Sequence, residues 1–311
     1  MLRGTRSAPL AAALAVVIAL SGCGFGAGRG TKDASVQVTS DFGTNSLGRA
    51  VQSKIPGSET VMALTERHFT VRTRYGGGFV ESINGHSSGS NRLDWFYYVN
   101  GIEAPKGAAA TDVNKGDHIW WDLHDWTATD SIPAVVGSYP EPFTNGVGGK
   151  EFPTLVDCAS GTQQACDTIG TSLRRAGVKA ADQGFGTGSG SDSLAVVVGT
   201  WRQIQGVVAA ELIAGGPSNS GVYAQFVGRT GQAIELDNPL GDVVQTLHGS
   251  AGLIAATEEV SLGEPTWFVT GTDAAGVGAA ARAFSAADLR NHFAIAVSGR
   301  KIIPIPVVLG S

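Results

Sequence analysis

The chain has 311 residues, a mass of 31.9 kDa and a formal net charge of −5. Hydrophobic residues make up 42% and charged residues 16%, which excludes a disordered polyelectrolyte and leaves apolar material for two ordinary domains. The 44 glycines follow no G-X-Y period and only 12 prolines accompany them; collagen is excluded, turn-rich β structure is favoured, and no basic arm or patch points to nucleic acid.

Arg3 and Arg6 precede an unbroken apolar run over residues 10–20, and Leu20-Ser21-Gly22-Cys23 follows. The run is too short to span a hydrocarbon core, which takes about 20 residues, and its layout is that of an export signal. Its end resembles the lipobox of bacterial lipoproteins. That resemblance implies removal of residues 1–22, acylation of Cys23 and anchoring to membrane lipid on the extracytoplasmic face of a cell membrane. An ordinary signal peptide cut nearby is the alternative. Residues 23–33 read as a flexible, glycine-rich tether.

Residues 34–139 read as an α+β domain. Residues 35–39 and 69–74 alternate, 95–99 and 119–123 are aromatic and β-branched, and 60–67 carry the one helical stretch, with Ser58 as its cap. Residues 140–152 are rich in Gly and Pro without periodicity and read as an interdomain linker.

From 153 to 311 the pattern becomes α/β. Buried-type strands at 193–198, 221–227, 232–236, 252–256, 266–270, 292–297 and 302–308 alternate with helices at 201–214 and 274–284, which predicts a largely parallel sheet. Pro304 and Pro306 make the last segment an edge strand or an extended tail. Cys158 and Cys166, the two cysteines left after Cys23, predict a disulfide in an exported chain, with a metal pair as the alternative.

The densest functional-looking stretch is 94–126, which holds four of the six tryptophans. On a strand, His118, Trp120, Asp122, His124 and Trp126 share one face and Ile119, Trp121 and Leu123 the other. Polar residues alternating with aromatics predict a half-buried strand with an open face. A shared metal is disfavoured, because His118 and His124 would stand about 20 Å apart on a straight strand. Trp95, Tyr97, Trp120 and Trp126 offer flat amphipathic surfaces for stacking on a ligand, sugar or protein, against the alternative of core packing. With Asn100, Asp122 and His124 they form the candidate ligand-binding set. Asn100-Gly101 and Gly116-Asp117 are turn formers that predict hairpin closure.

Trp95, Tyr97, Val99, Asn100, Gly101, Gly107, Val113, Gly116, Asp117, Ile119, Trp121 and Trp126 together resemble the C-terminal domain of transcobalamin and intrinsic factor, and a similar bacterial domain of unknown function. Upstream, Val38-Thr39-Ser40-Asp41-Phe42-Gly43 is similar to the opening strand and turn of the bacterial group. The resemblance covers about residues 35–138. It implies a β-grasp-like fold and a binding or adhesive module, with a corrinoid as one candidate ligand. No part of the chain resembles the separate helical domain that completes the cobalamin site in the animal carriers.

Gly85-His86-Ser87-Ser88-Gly89 matches the G-x-S-x-G nucleophile elbow, but a serine hydrolase would need a strand before Ser87 and a helix after it, and an aromatic strand follows instead. The combined expectation is a lipoprotein with a β-grasp-like N-terminal domain and an α/β C-terminal domain. Its function would be non-enzymatic binding of a small molecule or envelope component, with no cofactor. An envelope structural or adhesion protein that binds another protein is one alternative; a serine or metal-dependent hydrolase is the other.

Overall fold

The computed structural model describes Met1 and residues 34–54, 56–89, 91–186, 192–258 and 264–308. The predicted export signal, Cys23 and the tether lie outside the described residues after Met1. The fold is mixed α+β and mostly sheet.

In the first half, five strands form one sheet in the order Asn45–Gln52, Ala34–Ser40, His118–Asp125, Leu93–Val99, Ile102–Glu103. Ala34–Ser40 runs parallel to the central strand His118–Asp125, and the other neighbours are antiparallel. Helix Val61–His68 packs across one face, capped by the Thr60 hydroxyl, which accepts from Ala63 N at 3.2 Å; the cap falls at Thr60 rather than at the expected Ser58. Trp121 fastens the helix to the sheet, its Nε1–H donating to Thr65 Oγ1 at 3.0 Å. Strands Val71–Arg74, Phe79–Ile83 and His86–Ser87 add a small second sheet.

The second half is built on a seven-stranded sheet, ordered Ala180–Gly184, Thr154–Cys158, Leu194–Thr200, Thr266–Gly271, Ala251–Thr257, Ala294–Ser298, Lys301–Ile305. The first four are mutually parallel and the remaining pairings antiparallel. The expected largely parallel sheet is therefore mixed. A parallel pair needs a crossover of a dozen or so residues, whereas Gly299 and Arg300 alone join Ala294–Ser298 to Lys301–Ile305. That last strand lies at the edge, where its proline requires it to be. The expected helix at 201–214 is broken at Gly206 into Trp201–Ile204 and Val208–Ala214, a glycine being a poor helix former. Strands Ala224–Val227, Ala233–Asp237 and Val243–His248 form a further antiparallel sheet.

The alternation along the seven-stranded sheet divides two cores. Val196, Val198, Ile254, Trp267, Val269 and Ile295 face helices Gln163–Arg175 and Ala274–Ala283. Val197, Leu253, Ala255, Phe268, Ala294 and Ala296 face the other way, into one apolar cluster with Phe42, Tyr98, Trp120 and Val135 of the first half. Residues 140–152, read as a linker, form an ordered strap together with the residues just before them. Tyr139 and Phe143 are buried against Trp267 and Phe284, at ring distances of 4.9–6.2 Å. Two apolar rings within a Gly/Pro-rich stretch suffice to hold it to the core.

Cys158 and Cys166 form the expected disulfide, joining the end of strand Thr154–Cys158 to helix Gln163–Arg175 with Cα atoms 6.1 Å apart. Among the described residues, no helix is long and apolar enough to cross a membrane. Closing so short a loop restricts the unfolded chain, so reduction is expected to lower stability by about 2–3 kcal/mol. Calorimetry with and without reductant checks this, and an unchanged melting midpoint would refute it.

Candidate functional site

The turn that joins Ala34–Ser40 to Asn45–Gln52 has three successive residues in left-handed conformation: Asp41, Phe42 and Gly43, with φ of 54°, 56° and 81°. Such backbone persists only where the surroundings hold it. The Asp122 carboxylate does so, accepting from Phe42 N at 3.1 Å and Gly43 N at 2.9 Å. It also accepts from the Thr39 hydroxyl and from His124 Nδ1 at 2.9 Å. Thr39 in turn receives Trp120 Nε1–H at 2.7 Å. A carboxylate can only accept, so Nδ1 of His124 carries the proton. The His124 ring is stacked between Phe42 and Phe96, at 4.6 and 4.4 Å.

The predicted site residues do not form one surface. Trp95 and Tyr97 lie with Ile119, Trp121 and Leu123 in the helix-side core, while Trp120, Asp122 and His124 project from the opposite face toward the second half. That face is not the expected open face of a half-buried strand: Trp120 and Asp122 are 0% exposed and His124 is 2% exposed. Phe293 of the second half covers it, with ring contacts to Trp120, His124, Tyr98 and Phe42 at 5.2–5.6 Å. Trp120, Asp122 and His124 therefore serve the core and are unavailable for stacking on a ligand. Trp126 is half-buried at the strand end, donating to Asp94 Oδ2 at 2.9 Å beneath the Arg92 guanidinium. Ser87 is exposed on a two-residue hairpin strand, not at a strand-to-helix turn. His118 bonds Ser138 Oγ at 3.1 Å and His124 bonds Asp122. Among the described residues, no three His, Cys, Asp or Glu side chains converge as a metal site would need.

Tyr97 and Asn100 shape a cavity from behind. Asn100 and Gly101, with φ of 55° and 80°, make the turn between Leu93–Val99 and Ile102–Glu103, as expected. The buried Asn100 amide donates to Asp117 Oδ1 and Gly146 O, both at 2.9 Å, and accepts from His118 N at 2.9 Å. This ties the hairpin to the strap. Tyr97 donates to Lys106 O and meets Thr111 Oγ1 at 2.8 Å, holding the loop 104–111 in place. Between loop and strap lies a cavity of about 320 Å³, lined by Val99, Ile102, Ala104, Pro105, Ala110 and Val147, with Glu103, Lys106, Thr111, Asp112 and Asn114 supplying its polar groups. Apart from Gly107, the loop residues were not singled out from sequence. Their signal is the Ala-Pro-Lys-Gly-Ala run itself, a small apolar loop following a hairpin turn.

A second polar group lies deeper. Asp237, 1% exposed, has no hydrogen-bond partner among the described residues at either carboxylate oxygen, and the nearby buried hydroxyl of Tyr223 has none among them either. Burial, with Glu235 and Asp242 adding repulsion, pushes the Asp237 carboxyl up to about 6.

With this geometry in view, comparison places residues 58–125 in a match to the family described as "Domain of unknown function (DUF4430)". That stretch holds the helix, the hairpins and the two central aromatic strands. A solved structure described as a "putative metal binding protein" from Ruminococcus gnavus ATCC 29149 is similar at 16% identity and a TM-score of 0.24, over 30% of this chain and 97% of that one. No curated protein matches the chain.

Two outcomes follow from these buried carboxylates. Asp122→Ala leaves the Phe42 and Gly43 amides unpaired and is expected to destabilise by about 3–5 kcal/mol, read from the urea midpoint; an unaltered midpoint would show that the turn stands without the carboxylate. For Asp237 the folded chain holds the proton more tightly than the unfolded chain. Its contribution to stability is thus greatest below about pH 4 and is lost as pH rises through about 6. Asp237→Asn is expected to flatten that decline and to stabilise at pH 7.5 by on the order of 1–2 kcal/mol. Thermal midpoints from pH 4 to 8 check it, and parallel curves for the two proteins would contradict it.

Proposed function

We propose that the protein is a lipid-anchored binding protein of the extracytoplasmic face, without enzymatic activity, whose ligand occupies the cavity at residues 102–112. The single observation that carries this reading is the cavity of about 320 Å³, which combines apolar walls with one lysine and two carboxylates, Glu103 and Asp112, since small-molecule sites combine apolar walls with a few polar groups. In this reading residues 1–22 are an export signal, Cys23 carries the acyl chain and 23–33 form the tether. Residues 34–139 are then a β-grasp-like domain and 153–311 an α/β domain. The parallel central pair with a helix across one face supports the first assignment, and four parallel strands beside two helices support the second. The cavity is small for a corrinoid, so its size favours a smaller, largely apolar ligand with a polar end.

The Asn100 and Tyr97 hydrogen bonds support a wall that is formed before the ligand arrives, which limits the ordering cost of binding. A second reading, contact with an envelope protein, is favoured by Tyr75 and Phe79, both exposed beside Gly76, Gly77 and Gly78 at one hairpin tip.

Native mass spectrometry of protein extracted from its own membrane is the test. The expected result is an acylated mass at Cys23 and a retained small molecule that is lost in Ala104→Trp, a variant that fills the cavity. An unacylated chain, or equal retention by Ala104→Trp, would overturn the corresponding part of the reading.

A further inference from the structure

A second recess lies on the far side of the strap, where both halves of the fold contribute walls. It has a volume of about 290 Å³ and its lining includes Ser35, Gln37, Arg49, His118, Ser138 and Arg290. Arg49 stands on the edge strand Asn45–Gln52, directly across from Gln37 in register. His118 opens the central strand beside Ser35, and Arg290 follows helix Ala286–Leu289 of the second half. Gly137 holds the strap close at this point: a Cβ there would lie 2.7 Å from both the Trp120 ring and His292 O.

The charges around the recess are unbalanced. Arg67, Arg74 and Lys150 each pair with a carboxylate, while among the described residues neither Arg49 nor Arg290 has one within 4.0 Å. The one acid in the lining, Glu141, is occupied by Thr144 Oγ1, by Asn145 N at 2.9 Å and by Asn145 Nδ2 at 2.6 Å. Burial, with the charge of Arg49 adding, pushes His118 down to about 4, so its imidazole is neutral above that pH. In a chain whose net charge is −5, two guanidiniums from residues far apart in sequence, without a carboxylate partner among the described residues, thus border one polar recess whose single acid is already hydrogen-bonded. Guanidiniums match the planar, two-oxygen edge of a carboxylate and the oxygens of a phosphate.

We propose that this recess binds a compact oxyanion, a carboxylate or phosphate group carried by a small molecule, between Arg49 and Arg290. The site is separate from the apolar cavity and does not depend on its role.

The test uses the full chain, inorganic phosphate and citrate as probes, and sodium chloride at matched ionic strength as the control. Thermal shift and isothermal calorimetry are expected to show saturable binding of phosphate or citrate beyond the chloride effect, and which of the two binds tells phosphate from carboxylate. Affinity should fall at least tenfold in Arg49→Gln/Arg290→Gln and stay unchanged in Arg282→Gln, an exposed arginine at a different cavity. The single variants give the same reading if the double variant does not fold. No shift beyond chloride with either probe, or equal binding by the double variant, would overturn the proposal.

Discussion

The Asp122 carboxylate is the constraint on which the arrangement of the two halves depends. Four donors converge on it, from Phe42 N, Gly43 N, Thr39 and His124. Their number matters because a buried carboxylate is costly unless its lone pairs are met. What it secures is a turn of three left-handed residues, and that turn points Phe42 toward Phe293 and Tyr223. Gly43 passes so close to the Asn291 carbonyl that a side chain has no room there. A polar contact within the first sheet thereby sets the surface on which the second half rests.

The central sheet is covered on both faces as a result. Ile119, Trp121 and Leu123 pack toward helix Val61–His68, and Trp120 and Tyr98 pack toward Phe293. A strand of alternating polar and aromatic residues ordinarily faces water on its polar side. Here Asp122 and His124 satisfy each other and the adjoining turn, so the same alternation serves a doubly buried strand. The outward-facing chemistry is displaced to the rims, where the loop at 104–111 and the strap meet solvent.

Much of the fold was legible in the sequence. Periodicity located the helix near 60–67, the aromatic strands, the strand-helix alternation of the second half and the Cys158–Cys166 pair, because each is a local signal of spacing and residue type. What was not legible depends on partners distant in the chain. Nothing near Trp120 announces Phe293, which closes over it from the second half, so a core face was read as a binding face. The packing of the linker stretch was not legible for the same reason: Gly and Pro describe the backbone of 140–152, while Phe143, with Tyr139 just before it, finds apolar neighbours at Trp267 and Phe284. Sheet direction in the second half was set by turn length, which composition understated. Asn100 and Tyr97 were singled out as ligand contacts; in the structure their hydrogen bonds hold the hairpin and the loop beside the cavity.

The shared apolar cluster carries one more implication. Because Phe42, Tyr98 and Trp120 belong to the same cluster as Leu253, Phe268 and Phe293, neither half presents a finished surface when separated from the other. Cutting the chain at the strap would leave an aromatic face of the first sheet in water. The shared cluster therefore couples the opening of the two halves: backbone amides of the strand His118–Asp125 are expected to exchange with solvent only when the whole assembly comes apart, and a fragment ending before the strap is expected to expose an association-prone sheet.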